Sequence, residues 1–284
     1  MFDEGNRSSR RTFLHRAGAM FAAMHLPIAA RAPGRIAPPQ PAGDAPPPRA
    51  ARPVDFRQLD LLARNMDAQR EFYTRAFHLP VVNDTADSFT VQAGATRLRF
   101  IDAGSAGFAG PILCHFAFNI PENRLESALA WVESRRPLLR HRQTGETIVH
   151  FPSINAHSIY WFDPAGHLVE FIARHDLPNA SDHEFSEADI IQASEIGLVT
   201  PDVGATCAEL ERRLGVRIRD GYRGNEMFAP TGDDHGYFIV VREERVWLMT
   251  DIPAVRVPIK VDLGAESAGQ LTLDGVPFEV RLTK

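Results

Sequence analysis

The sequence predicts an α+β fold built from repeated βαβββ modules. Three observations carry that prediction: the order of strand and helix patterns recurs along the chain, corresponding segments have similar lengths, and a DPxG turn closes a hairpin in the second pass.

The pattern becomes regular at Phe56. A short apolar run, QLDLLA, opens it, and a helix follows whose apolar face falls at Phe72, Tyr73, Ala76 and Phe77, with Asn65 as the expected N-cap. Two strands are expected next, in SFTVQAG and TRLRFIDA, both rich in β-branched or aromatic residues. The order then repeats. ILCHFAFNI reads as a strand and RLESALAWVESR as a helix with Leu125, Ala128, Leu129 and Val132 on one side, and TIVHF, SIYWF and HLVEFIA read as strands. A third pass begins at ASEIGLVT and continues as a helix in VGATCAELERRLG, aligned on Val203, Cys207, Leu210 and Leu214 and stopped at Gly215. MFAP, GYFIVV and VWLMT are expected to close it as strands. Only strands remain after that, PIKVDL, QLTLDG and PFEVRL, so the chain holds about three and a half modules.

The 284 residues, 44% apolar, suffice for one large or two ordinary domains with real cores. A net charge of −5 with scattered Lys and Arg leaves no basic stripe, which excludes nucleic acid as a partner. Cys114 and Cys207 stand far apart outside any CxxC spacing; they read as small buried hydrophobes. The stretch SSRRTFLHRAGAMFAAMHLPIAARA resembles a twin-arginine signal peptide in residues 1–32, the other reading being a basic tail. Its apolar run is too short for a membrane span, so export to the periplasm or outside the cell, with no stable membrane anchor after cleavage, is the expectation. Eight prolines from Pro33 to Pro53 mark a linker over 33–53.

In DPAGHLVE, Asp163 and Pro164 open a tight turn and Gly166 supplies its positive φ. A hairpin centred on Ala165 places Tyr160 opposite Glu170 and Ser158 opposite Ile172, all on one face. Glu170 lies in a strand apolar on both sides, where an isolated carboxylate is costly to bury. HFAFNIP, a helix and then AHSIYWFDPAGHLVEFIAR resemble the second module of a glyoxalase-type domain of the vicinal oxygen chelate superfamily, which includes glyoxalases, bleomycin-resistance proteins and extradiol dioxygenases. NMDAQREFYTRAFHL resembles the helix of the first module, with His78 where glycine is usual. The likeness covers 56–175 well and 189 to about 250 loosely. It implies cupped sheets with helices outside, and two domains: residues 54–178 with two modules, and 179–284 with a third and a partial fourth.

The resemblance further implies that Gln58, His115 and Glu170 hold a divalent metal ion, zinc, manganese, iron or nickel, with Tyr160 contacting the bound ligand. The other reading has no metal: His115 is a core histidine and Glu170 pairs with Arg99 or Arg97. Extradiol dioxygenases of this superfamily use two histidines and a glutamate. Glyoxalase I enzymes accept Gln at the first position but need a further carboxylate where Arg99 falls here. Arg99 and Ser158 are therefore candidate substrate contacts, and His157 a candidate acid or base if a bulge near Asn155 turns it into the cup. Glu195, at the equivalent first-strand position of the third module, reads as structural, and Asp233 and Asp234 as turn residues. The expected function is a metal-dependent enzyme acting on a small oxygen-bearing molecule, as lyase, isomerase or dioxygenase; the alternative is a binding protein that sequesters one. An unpaired module would allow a homodimer.

Overall fold

The computed structural model describes residues 53–284, which belong to one compact unit. The signal segment and, but for Pro53, the linker lie outside the described residues. Fourteen strands form two seven-stranded sheets. In the first module β1 (Phe56–Ala63), α1 (Met66–Glu71) with a π-helical turn at Phe72–Ala76, β2 (Val81–Asp84), β3 (Ser88–Ala93) and β4 (Thr96–Asp102) follow in order. The second contains β5 (His115–Ile120), α2 (Leu125–Glu133), β6 (Val149–Phe151), β7 (Ala156–Phe162) and β8 (Leu168–Arg174). The third has β9 (Gln192–Thr200), α3 (Val203–Leu214), β10 (Phe228–Asp233) and β11 (Gly236–Arg242), and β12 (Ile259–Gly264), β13 (Gly269–Leu273) and β14 (Val276–Thr283) end the chain.

The modules pair across the chain. One sheet runs β13-β14-β12-β1-β4-β3-β2 and the other β10-β11-β9-β5-β8-β7-β6. The first module thus shares its sheet with the last three strands, and the second shares its sheet with the third. The division at residues 54–178 and 179–284 follows the chain, whereas the hydrogen-bonded sheets run across it: β1 pairs with β12, and β5 with β9.

Several expectations need correction. Asn65 precedes α1 but takes a left-handed conformation and makes no side-chain cap. VVND forms β2, a strand missed in the sequence because all four residues are exposed on a sheet edge and follow Pro80. VWLMT is no strand. It lies in the loop between β11 and β12, where alternation of Val246, Trp247, Leu248 and Met249 reflects exposed and buried positions in a folded-back turn. His78 has a φ of 55°, which explains why glycine is usual there. Both cysteines are buried and free.

The DPxG turn is held from outside its own module. Asp163 is buried; its Oδ2 accepts from Gln69 Nε2 at 2.6 Å and from Tyr73 hydroxyl at 3.1 Å, and its Oδ1 from the His167 amide at 2.9 Å. Gln69 Oε1 accepts the Ala165 amide at 2.9 Å. Burial, then the charge of Asp163, pushes the Tyr73 phenol well above its usual pKa, so it stays a donor. Asp163→Ala leaves three buried donors without their acceptor and should cost at least about 3 kcal/mol, measurable as a lowered denaturation midpoint at unchanged m-value.

Candidate metal centre

The register expected for the β7–β8 hairpin is the one observed: Tyr160 pairs with Glu170 and Ser158 with Ile172. On the parallel side, His115 of β5 pairs with Leu168 and Ala117 with Glu170; on the antiparallel side, Ala117 pairs with Glu195 of β9. Residue parity therefore sends His115, Glu170 and Glu195 to the same face. On the strand between the two carboxylates stands Ala117, whose side chain is a single methyl group.

The three side chains converge. His115 Nε2 lies 3.4 Å from Glu170 Oε2 and 3.4 Å from Glu195 Oε2, and one ligand atom from each residue falls within 4.8 Å of the others. All three are buried. His115 Nδ1 is 3.1 Å from the carbonyl oxygen of Leu168, an acceptor only, so Nδ1 carries the proton that it donates. In the neutral imidazole, Nε2 then turns its lone pair toward two carboxylates, an arrangement relieved by a proton on His115 or Glu170 or by a cation among the three.

The electrostatics report the same demand. Burial, then the neighbouring charge of Glu195, raises the Glu170 carboxyl to about 7, against partial relief from His115. For His115, burial favours the neutral ring but is outweighed by the Glu195 hydrogen bond and the charges of Glu170 and Glu195, so its pKa rises. Glu195 is also opposed by burial, yet His115 and Arg174 hold it below the usual carboxylate range. Burial, then Glu170, raises the Tyr160 phenol well above 10. The nearby hydroxyls of Ser158 and Tyr160 partly offset the burial of Glu170, and Ser158 Oγ is itself buried without a hydrogen-bond partner.

Arg174, the last residue of β8, is buried. Its Nη2 donates to Glu195 Oε1 at 2.5 Å and its Nε to Asn119 Oδ1 at 3.1 Å, while its guanidinium lies 5.0 Å from the Tyr237 ring centre. Glu195 is thus oriented with one oxygen on Arg174 and the other toward His115. Above the triad the Trp247 ring packs 5.6 Å from that of His115, and its tip fills the space where a Cβ on Gly197 would stand, 2.7 Å away. The indole Nε1 is buried without a hydrogen-bond partner.

Gln58 is not part of this group. It sits on β1 in the other sheet, with Nε2 bonded to Asp60 Oδ1 at 2.6 Å, and Glu195 takes the place assigned to it. The reason is module pairing: the strand beside β5 is β9, not β1. Arg99 also belongs to the other sheet, 3.8 Å from Asp60, and neither contacts a substrate face beside Glu170 nor neutralises it. His157 lies on the opposite face from Tyr160, bonded to His175 at 2.8 Å; β7 pairs with β8 without a bulge, so nothing rotates it into the cup. Arg174 and Trp247 escaped the sequence reading. Arg174 was legible as a charge four residues past Glu170 on the same strand face, whereas Trp247 had no signal beyond its size.

No protein-family model and no curated protein matches the chain. Among solved structures, a proposed dioxygenase from Bacillus subtilis subsp. subtilis str. 168 aligns over 84% of this chain and 86% of its own, at 14% identity and a TM-score of 0.51. The chain has the vicinal oxygen chelate fold. Glyoxalase I from Zea mays aligns over 81% of this chain and 92% of its own, at 13% identity and a TM-score of 0.48. Lactoylglutathione lyase from Agrobacterium tumefaciens aligns over 42% and 92%, at 22% identity and a TM-score of 0.36.

Because Glu170 has a raised pKa in the folded chain, the folded state binds more protons than the unfolded between about 4.5 and about 7, so metal-stripped protein should lose stability as pH rises through that window. In Glu170→Gln that decline should be flatter, as read by thermal melts across pH in chelator.

Proposed function

We propose that the cup of the β5–β9 sheet is the active site of an enzyme that binds one divalent metal ion through His115, Glu170 and Glu195 and acts on a small molecule through two adjacent oxygens. The observation that carries this reading is the His115 tautomer, with Nδ1 tied to Leu168 and Nε2 aimed between two buried carboxylates. The donor set fits a cation: one imidazole nitrogen and two carboxylates on three neighbouring strands, with Arg174 fixing the outer oxygen of Glu195. When bound, the ion supplies Lewis-acid polarisation of a substrate oxygen.

The chain's own residues set the rest. Tyr160, kept protonated by its surroundings, donates a hydrogen bond to an oxygen of the bound substrate, and Ser158 presents a second hydroxyl on the same face. Trp247 roofs the cup and excludes water, so polar contacts beneath it act in a low-dielectric space. A second carboxylate in place of a second histidine makes the set harder than that of ring-cleaving dioxygenases, which favours lyase or isomerase chemistry over oxygen activation. Export by the twin-arginine route, with the ion loaded before transport, accords with the N-terminal sequence.

A metal-free binding protein is the second reading. Arg174 with a protonated His115 would balance the two carboxylates without an ion. Elemental analysis of anaerobically purified protein separates the two: a tightly held equivalent lost in Glu170→Ala and Glu195→Ala but kept in Gln58→Ala supports the enzyme, and no dependence on either glutamate leaves the sequestering protein. Tyr160→Phe should keep the metal and lower kcat by about 10²-fold, read in steady-state turnover once a substrate is in hand.

A further inference from the structure

Behind the cup, on the helix-facing side of the same sheet, three imidazoles and a carboxylate stand in sequence. His150 of β6 pairs with His157 of β7, and their rings lie parallel at 4.3 Å between centres and 7° between planes. His157 pairs in turn with Ala173 of β8, and His175, two residues on, comes out on the same side. His157 Nδ1 and His175 Nε2 are 2.8 Å apart, and His175 Nδ1 is 3.1 Å from Glu122 Oε2.

The backbone holds this group together. Asn155, in the left-handed region at φ 44°, accepts the His175 amide at 2.9 Å and donates its side chain to Asp176 at 2.7 Å, which fixes the chain carrying His175 beside β7. The strands that carry the histidines also bear Ile159, Trp161 and Phe171, which belong to the main hydrophobic core. His157, His175 and Glu122 are half-buried and His150 is exposed, so the group is reachable from solvent. Protonating all three rings would set like charges side by side. Burial and then the charges of His150 and His175 lower the pKa of His157, which keeps it a neutral ligand at neutral pH.

We infer that His157 and His175, with His150 as third donor, form a second metal site for a borderline transition ion such as Zn²⁺ or Cu²⁺, separate from the triad and independent of the enzymatic reading above. With Nδ1 donating to Glu122, His175 Nε2 accepts from His157 Nδ1–H, and a bound ion takes the place of that proton, which passes to the far nitrogen of the His157 ring. Two nitrogens on one tetrahedral ion at about 2.0–2.1 Å each stand roughly 3.3 Å apart, so the 2.8 Å pair has to open by about 0.5 Å while both half-exposed rings turn their facing nitrogens toward one point. The donor atoms of the three rings are not gathered as those of the triad are, so His150 has to swing from its stack to reach the third position.

Cu²⁺ alone is the probe, added to the full chain and to the double variant Glu170→Gln/Glu195→Gln, with paramagnetic resonance counting the bound nitrogens. The expected result in the double variant is one equivalent coordinated by two or three imidazoles. Its affinity should fall at least about 30-fold in added His157→Ala or His175→Ala and about tenfold in Glu122→Gln. In the otherwise unaltered chain, His157→Ala should remove the multi-nitrogen signal and leave any one-nitrogen signal from the triad. Cu²⁺ bound with unchanged affinity in His157→Ala, or a spectrum showing one nitrogen at most in both backgrounds, would overturn the assignment.

Discussion

Two carboxylates and an imidazole lone pair buried within 4.8 Å of one another form the constraint around which this molecule is arranged. Desolvation is costly for each group, and the cost falls when positive charge enters among them or Glu170 takes up a proton. The surrounding residues are consistent with that demand: Arg174 neutralises the outer side of Glu195, Ala117 sets only a methyl group between the carboxylates, Leu168 selects the His115 tautomer, and Trp247 packs against the His115 ring. Each acts on the charge or the access of the same small volume.

The other sheet presents the same strand framework with a different electrostatic solution. Its central strands carry Asp60 on β1 and Asp262 on β12, the counterparts of a carboxylate pair. There Arg281 meets Asp262 at 2.5 Å and Asp60 at 3.2 Å, Arg99 stands 3.8 Å from Asp60, and Gln58 donates to it. Two arginines answer two aspartates, and this group is balanced by its own side chains. The β5–β9 sheet has one arginine for two glutamates, and the balance there falls to His115 or to an ion. That one-charge difference between similar halves explains why a candidate centre forms in one and not in the other.

Legibility in the sequence followed the range of the forces involved. The Tyr160–Glu170 register was readable because a tight turn fixes hairpin pairing locally, and Gly166, at φ 89°, marks that turn. α3 with its stop at Gly215 was readable for the same reason, an apolar recurrence ended by a residue that takes positive φ. β2 was not, since an exposed edge strand has no buried face to imprint alternation. The loop holding Trp247 alternated like a strand only because a folded-back turn also buries every second side chain.

The sequence by itself determined the repeated order of strands and helices and the DPxG hairpin that sets Tyr160 opposite Glu170, consequences of periodicity and turn chemistry within some twenty residues, whereas His115 was marked out by the family resemblance. Only the tertiary structure decided the third member. Glu195, and not Gln58, stands beside His115 and Glu170 because β5 takes β9 as its neighbour, leaving β1 to β12. Which strand becomes that neighbour depends on the packing of whole sheets, a sum over contacts distant in the chain that no local pattern encodes.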